Sequence, residues 1–151
     1  MRRCLIVANQ TLTTDTLSAA VEERVAAETH EFHVVAPATP LDDQVDVPSA
    51  YRHLGPAPAD RAYALAAQRL DHALDQLGSL GATVTGEVGD PDALEAVRTT
   101  LRHFTADEII VSTLPQGLSR WLHRDLPSRL RKVTGITVTH LTADRDADAR
   151  A

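Results

Sequence analysis

The sequence predicts a doubly wound α/β fold, in which helices cover both faces of a five-stranded parallel sheet. Three observations carry this prediction. Short apolar runs alternate with longer segments of helical periodicity, as in βαβ units. The runs differ in texture, because some are continuously apolar and others alternate with polar residues. The fourth run ends in a polar, glycine-containing loop that leads into a helix, as the ligand-binding loops of α/β proteins do.

The apolar runs predict five strands. They span residues 4–8, 32–36, 83–88, 108–112 and 136–141. Strands one, two and four are nearly continuous, which is typical of strands buried on both faces, whereas strands three and five alternate like edge strands. With right-handed crossovers these textures predict the strand order 3-2-1-4-5. The switch point of that order lies between strands one and four, where open α/β sheets bind ligands.

Apolar stripes at helical spacing predict three helices between the strands. The stripes consist of Leu17, Ala20, Val21 and Val25 in the first helix, of Ala62, Ala66, Leu70, Ala73, Leu74 and Leu77 in the second, and of Leu94, Val97, Leu101 and Phe104 in the third. Asp90, followed by Pro91, is expected to cap the third helix, and Gly78 and Gly81 are expected to end the second.

Pro127 divides the last helical region, because a proline inside a helix removes a hydrogen bond and clashes with the preceding turn. The sequence predicts a short helix over residues 118–123 and a longer one, capped by Asp125, that runs to about Val133. Residues 42–60 contain several prolines and predict a long irregular connection. One domain is expected over residues 1–143, followed by a flexible charged tail at 144–151.

Composition limits the class of protein. The net charge of −6 argues against nucleic-acid binding, which relies on many Lys and Arg side chains. No apolar run approaches the ~20 residues of a membrane-spanning helix. The apolar run after Met1 is too short for a secretory signal, so a cytoplasmic location without membrane partners is expected. The single cysteine, Cys4, lies in that run and is expected to be buried.

Positive charge is concentrated after strand four. Residues 118–132 contain five basic side chains against one acid, Asp125. The basic residues are Arg120, Arg124, Arg129, Arg131 and Lys132. This segment is either a solvated helix face or an anion-recognition surface beside the loop after strand four.

Several segments together resemble the universal stress protein family. The strongest match is ADEIIVST at residues 106–113, followed by GLSRWL at residues 117–122, a terminal helix and a closing strand. GEVGDP at residues 86–91 is similar to the family's exit from strand three. The resemblance implies a flavodoxin-like sheet, a cytoplasmic location, homodimers that often pair through the last strand and, in some members, ATP binding.

The motif with which members of this family bind ATP, G-x2-G-x9-G-[ST] after strand four, is not reproduced. Ser112 and Pro115 stand at its first two glycines. Allowing a deletion of one residue, Arg124 and Asp125 stand at its final glycine and its Ser or Thr. A glycine lets backbone N–H groups approach a phosphate at a helix N-terminus, whereas an Asp cap would engage those donors and add a negative charge. Asn9 likewise replaces the Asp that ends strand one in ATP-binding relatives.

The predicted crevice defines a hypothetical site for a small anionic ligand. Its six residues are Asn9 and Thr113 as polar floor, Gly117 and Ser119 as backbone and hydroxyl donors, and Arg120 and Arg124 as anion partners. The expected function is a non-catalytic stress or regulatory module without a cofactor, which pairs as a homodimer through strand five and does not bind ATP in the usual way. The alternative is a universal stress protein that binds a nucleotide, ATP or AMP.

A further alternative is a flavodoxin-like protein that binds FMN. Four threonines follow strand one, and a hydroxyl-rich loop there cradles the flavin phosphate in that fold. They are Thr11, Thr13, Thr14 and Thr16. The scarcity of aromatic residues argues against a flavin, and loop or N-cap chemistry explains the hydroxyls equally well.

Two other classes are disfavoured by the residues present. A response-regulator receiver needs acids after strand one and a lysine after the last strand, but Asn9 and Gln10 stand at the first position and Lys132 precedes the last strand. No arrangement typical of an enzyme or a metal site emerges from the pattern. His30 and His33 are spaced to lie on opposite faces of strand two, so they are interpreted as surface or core histidines.

Overall fold

The computed structural model describes residues 1–53, 57–115 and 118–143. Its five strands are β1 (Arg2–Val7), β2 (His30–Pro37), β3 (Thr83–Gly89), β4 (Glu108–Thr113) and β5 (Thr137–Thr142). They form one sheet in the order β3-β2-β1-β4-β5, and every pair is parallel. The predicted fold class and strand order are confirmed. The strand ends shift by one or two residues because ladder pairing continues past the apolar runs, as between Arg2 and His30.

Six helices are described around the sheet. They are α1 (Asp15–Ala27), α2 (Ser49–His53), α3 (Pro58–Ser79), α4 (Ala93–Thr100), α5 (Arg120–His123) and α6 (Leu126–Thr134). The prediction of an irregular connection over residues 42–60 is wrong in part. A 3-10 turn at Leu41–Asp43 and α2 lie within it, and α3 begins at Pro58. Proline suits the first turn of a helix, where no N–H donor is required.

Apolar side chains pack on both faces of the sheet. On one face, β1 and β2 pack against α1 and α3, with buried residues that include Ile6, Phe32, Val34, Leu17 and Leu70. On the other face, β1, β2 and β4 pack against α4 and α6, with buried residues that include Leu5, Val35, Ile109, Val97 and Leu130. The central strands are therefore buried on both sides, as their continuous apolar texture predicts.

Two glycines of β3 allow the helices to lie close to this edge strand. A Cβ atom at Gly86 would lie 2.8 Å from the Cδ1 atom of Leu70 in α3. A Cβ atom at Gly89 would lie 2.8 Å from the Cβ atom of Ala96 in α4. These contacts are closer than carbon atoms normally approach, so β3 has no room for a side chain at either position.

Both ends of α4 differ from the prediction. The N-cap is Asp92 rather than Asp90, because its carboxylate accepts hydrogen bonds from the backbone N–H groups of Leu94 and Glu95. The helix ends at Thr100 instead of continuing to Phe104. Thr100 is β-branched, and its hydroxyl donates to Glu87 of β3 at 2.7 Å, so the side chain ties the end of the helix to the sheet.

A largely buried ion pair joins α1 to β4. The guanidinium of Arg24 donates two hydrogen bonds to the Glu108 carboxylate, at 2.9 and 2.8 Å. These bonds lower the pKa of Glu108. Cys4 is buried as predicted, and burial together with the nearby Glu108 charge raises the pKa of its thiol to about 12.

No helix in the described part of the chain is both long enough and apolar enough to span a bilayer. The predicted tail at residues 144–151 lies outside the described residues.

Candidate functional site

A crevice lies at the carboxyl ends of β1 and β4, at the switch point of the sheet. Its walls come from the loop after β1, the end of β4, the segment after β2 and the start of α5. The lining residues are Asn9, Gln10, Thr11, Thr39, Asp43, Ser112, Thr113, Leu114, Ser119, Arg120 and Trp121. The space left between them is about 20 Å³, which is of the order that a single water molecule occupies. The described residues therefore enclose little space at this point of the sheet.

Asn9 forms the floor of the crevice, and both ends of its side-chain amide are engaged. The Nδ2 atom donates to the carbonyl of Pro37 at 2.8 Å, and the Oδ1 atom accepts from Arg69 of α3 at 2.8 Å. Asn9 is only 2% exposed. Its hydrogen bonds thus fix the end of β1 to its neighbours within the protein.

Arg69 is the centre of this polar network. Its Nη1 atom also donates to the Oε1 atom of Gln44 at 2.6 Å, and Gln44 in turn donates to the carbonyl of Thr39. Burial lowers the pKa of Arg69 because desolvation disfavours the charged guanidinium. Sequence reasoning missed Arg69 and Gln44, which lie in segments interpreted as an amphipathic helix and a loop.

The other polar groups after β1 are also bonded within the protein. The Thr11 hydroxyl lies 2.7 Å from the Ser112 hydroxyl and 3.1 Å from its carbonyl oxygen. The Gln10 side chain accepts from the backbone N–H of Val45 at 2.9 Å. Thr14 caps α1, and its hydroxyl also donates to the carbonyl of Thr11. Loop and cap chemistry thus accounts for the hydroxyls of Thr11 and Thr14.

Thr113 is placed at the end of β4, beside the edge strand β5. Its hydroxyl lies 2.8 Å from the Nε2 atom of His140. Burial lowers the pKa of His140, and the positive charge of Arg131 adds to the effect. Thr113 therefore links the crevice to β5.

The start of α5 brings Ser119 and Arg120 to the crevice. Ser119 caps α5 through its hydroxyl oxygen, which accepts from the N–H of Leu122 at 3.3 Å. Arg120 and Arg124 both approach the carboxylate of Asp43, at 4.0 and 3.5 Å. Asp43 was not predicted as a site residue, yet it contributes a negative charge where the sequence suggests two cations for an anion.

Solved structures with the same fold cover almost the whole chain. One is a protein of the universal stress protein family from Burkholderia pseudomallei, with 16% identity, a TM-score of 0.61, and 92% of this chain and 94% of that chain covered. Another is a universal stress protein from Archaeoglobus fulgidus, with 11% identity, a TM-score of 0.59, and coverage of 95% and 94%. The fold is that of the universal stress proteins.

A third similar structure is a universal stress protein family protein from Arabidopsis thaliana with AMP bound. It has 9% identity, a TM-score of 0.64, and coverage of 97% of this chain and 94% of that chain. The structural similarity at these low identities establishes the shared fold, as the resemblance at residues 106–113 predicts. No protein-family model and no curated protein matches the chain.

Asp125, which the sequence comparison places at the final Ser or Thr of the universal stress protein motif only as an expectation, does not cap α6 as predicted. The structure confirms the division into two helices, but the Asp125 side chain makes no capping hydrogen bond. Its backbone has φ = 53° and ψ = 46°, in the left-handed region. The side chain therefore does not engage the N–H donors of α6. Glycine adopts this conformation without steric cost, so the backbone here still has a geometry that glycine would favour.

Four of the six predicted site residues line the crevice of this universal stress protein fold. They are Asn9, Thr113, Ser119 and Arg120. Arg124 lies beside them through its contact with Asp43. Gly117 falls outside the described residues.

Proposed function

We propose that the protein is a non-catalytic regulatory module with the universal stress protein fold, and that its switch-point crevice is not an ordinary ATP site. The observation that carries this proposal is the way in which the Asn9 amide is held within the protein. Its Nδ2 atom donates to Pro37 and its Oδ1 atom accepts from Arg69, so both ends of the amide are fixed, and only 2% of the residue is exposed to a base or a ribose.

Space supports the same conclusion. A nucleotide requires a pocket of several hundred Å³, whereas the enclosed space between the described lining residues is about 20 Å³. A ligand that moved Asn9 would break its hydrogen bond with Arg69. A buried oxygen that loses its donor costs about 1–3 kcal/mol.

The charged side chains at the other end of the crevice also support the proposal that it does not bind ATP. A triphosphate would compete with Asp43 for Arg120 and Arg124, and it would face the Asp43 carboxylate once the arginines turned away. Like charges that lie close together raise the free energy of the bound state. Arg120 and Arg124 offer positive charge to an anion. A small anion is favoured over a nucleotide because it needs less space in the crevice.

The alternative function is a nucleotide-binding protein. The observation in its favour is the AMP in the similar Arabidopsis structure. A thermal-shift comparison of ATP, AMP and inorganic phosphate separates the two proposals. We expect no shift of the melting temperature with ATP, whereas a saturable shift with ATP or AMP would favour the alternative.

Asp43→Asn serves as the paired variant in this assay. The substitution keeps the size of the side chain and removes its charge, so we expect inorganic phosphate to raise the melting temperature of the variant more than that of the wild type. Asp42→Asn, in the same 3-10 turn, is the matched control. If Asp43→Asn and Asp42→Asn respond equally to phosphate, the two arginines do not form an anion site.

We further propose that the chain forms a homodimer through β5. This strand lies at the edge of the sheet, and its sequence, TVTHLT, has no acid and no lysine or arginine that would oppose pairing with a second copy. Light scattering at tens of micromolar should return twice the 16.3 kDa chain mass.

Thr137→Lys, which adds a charge to the exposed start of β5, should shift this mass towards the monomer. Thr83→Lys adds the same charge to the exposed start of β3 at the opposite edge and should leave the dimer intact. A monomer in the wild type, or equal effects of both lysines, would refute pairing through β5.

The FMN alternative is tested by the visible absorption spectrum of the purified protein. The hydroxyls of Thr11 and Thr14 donate to backbone carbonyls of the protein, which argues against a role for them in binding a flavin phosphate. A yellow chromophore, or a spectral change on addition of FMN, would instead support flavin binding.

A further inference from the structure

A second group of chemically active side chains lies between β2 and β3, on the face of the sheet that α4 covers. It consists of His33 on β2, Glu87 on β3 and His103 in the turn after α4. The Nε2 atom of His103 lies 3.0 Å from the Oε1 atom of Glu87, and the Nε2 atom of His33 lies 3.3 Å from the same oxygen. One nitrogen or oxygen atom from each residue lies within 4.8 Å of the other two.

The strand register produces this convergence. His33 is paired with Thr85 and Val35 with Glu87, so His33 and Glu87 project from the same face of adjacent strands, two residues apart. His103 reaches the pair because α4 ends at Thr100 and the chain turns back towards the sheet. The sequence pattern places these residues on three separate elements and gives no sign of the cluster.

The buried nitrogen of His33 is not satisfied by the protein. Its Nε2 atom is buried and makes no hydrogen bond, although it lies within ion-pair distance of Glu87. An unpaired polar atom in a protein interior is disfavoured, so this nitrogen remains available to a bound ion. The His33 side chain is 11% exposed, and its ring stacks on Phe104, so it has little freedom to turn towards water.

The surrounding contacts orient the group as they do in metal sites. The Nδ1 atom of His33 lies 2.7 Å from the Thr85 hydroxyl, and a proton donated along this contact leaves the lone pair of Nε2 directed towards Glu87. Glu87 accepts from the Thr100 hydroxyl at 2.7 Å.

We propose that His33, Glu87 and His103 form a binding site for a divalent transition-metal ion of the zinc type. Two imidazole nitrogens and one carboxylate oxygen are a ligand set that zinc accepts, with a fourth position open to water. Bond lengths of about 2.0–2.2 Å place neighbouring ligand atoms of a tetrahedral ion about 3.4 Å apart, which is close to the distances of the two nitrogens from Glu87. The His103 side chain is 52% exposed and gives the ion access from solvent.

The charge near the cluster is compatible with a cation. Arg3 lies over the Phe104 ring, with its guanidinium carbon 4.3 Å from the ring centroid, but it is also paired with Glu31 at 2.7 Å, so its positive charge is balanced.

A bound ion would join β2, β3 and the end of α4. The site lies at the β2–β3 edge of the sheet, so the proposal does not depend on the function of the switch-point crevice.

The test is calorimetric titration of the chelator-treated full chain with zinc chloride, and visible spectroscopy with cobalt chloride. We expect one ion per chain and the intense visible bands of tetrahedral cobalt. His103→Ala changes an exposed side chain that the core does not need, and it should weaken zinc binding at least tenfold. Glu87→Gln, which keeps the shape of the side chain, should do the same.

His72→Ala removes an exposed histidine of α3 and is the matched control, with no change expected in zinc affinity. Thr85→Val should weaken binding about 10- to 100-fold if the hydroxyl orients His33. The absence of stoichiometric zinc binding, or equal affinity in His103→Ala and His72→Ala, would overturn the proposal and leave a histidine–glutamate hydrogen-bond cluster only.

Discussion

Arg69 donates a hydrogen bond to the Oδ1 atom of Asn9 at 2.8 Å, across 60 positions of the chain. This contact joins α3 to the carboxyl end of β1, where an open α/β sheet would otherwise present a free polar group to a ligand. The same guanidinium holds Gln44, so one cation fixes two segments that border the crevice.

Arg69→Met should destabilise the protein by about 2 kcal/mol, because the side-chain oxygens of Asn9 and Gln44 lose their buried donor. Urea unfolding measures the loss. Arg98→Met removes an exposed arginine that pairs with Glu95 on α4, and it should change the unfolding free energy by less than about 0.5 kcal/mol. Equal effects of the two variants would show that the Arg69 network contributes nothing specific.

Glu108→Gln should destabilise the protein by about 2 kcal/mol at pH 7, because Arg24 loses its ionic partner in a largely buried position. The pKa of Glu108 is lower in the folded protein than in the unfolded chain. Its stabilising effect is therefore complete above the unfolded pKa and is lost as the pH falls through the folded pKa.

The difference between wild type and Glu108→Gln should accordingly shrink as the medium becomes acidic, which urea unfolding at a series of pH values can measure. Glu95→Gln, at an exposed carboxylate of α4, is the control and should show little difference from wild type. A Glu108→Gln effect that stays constant down to pH 3 would contradict this account.

Asp125→Gly should stabilise the protein by about 0.5 kcal/mol, because relief of the left-handed backbone outweighs the greater freedom of glycine in the unfolded chain. Asp125→Val should destabilise it by about 1 kcal/mol or more, since a β-branched residue fits this region poorly. Thermal unfolding of the two variants distinguishes this account from the predicted side-chain cap, for which both substitutions would be destabilising.

Gly89→Ala should destabilise the protein by about 1–3 kcal/mol, because the added methyl group meets Ala96 and Val35 at 2.8 Å. Gly78→Ala is the matched control within α3. Its added Cβ meets no atom within 4 Å, so the better helix propensity of alanine should stabilise the protein by about 0.5–1 kcal/mol. Calorimetry should show melting temperatures that move in opposite directions, and a shift of the same sign would refute the close packing of α4 on β3.

The architecture could be predicted from the sequence because it depends on local patterns. Residues 5–8 and 109–111 are continuously apolar because their strands lie inside the sheet and are buried on both faces. The edge strands β3 and β5 alternate with polar residues because they are less buried. Pro127 similarly marks the division between α5 and α6, because its geometry excludes an unbroken helix.

The chemistry of the crevice could not be predicted in the same way. Arg69, Gln44 and Asp43 join the polar network around Asn9 and Arg120 only through tertiary contacts. Each belongs to a segment whose local pattern has an ordinary structural explanation. The predicted cap at Asp125 is wrong because the residue type favours an N-cap, whereas the turn after α5 has a left-handed backbone at this position.

The most direct test of the central claim is calorimetric titration of the wild-type chain with ATP and magnesium. If Arg69 holds Asn9 and the crevice encloses too little space for a nucleotide, the titration should show no saturable heat with ATP up to millimolar concentration. Stoichiometric binding of ATP with a Kd in the low micromolar range, about −8 kcal/mol, would contradict the account, because it would require the Asn9–Arg69 contact to open readily.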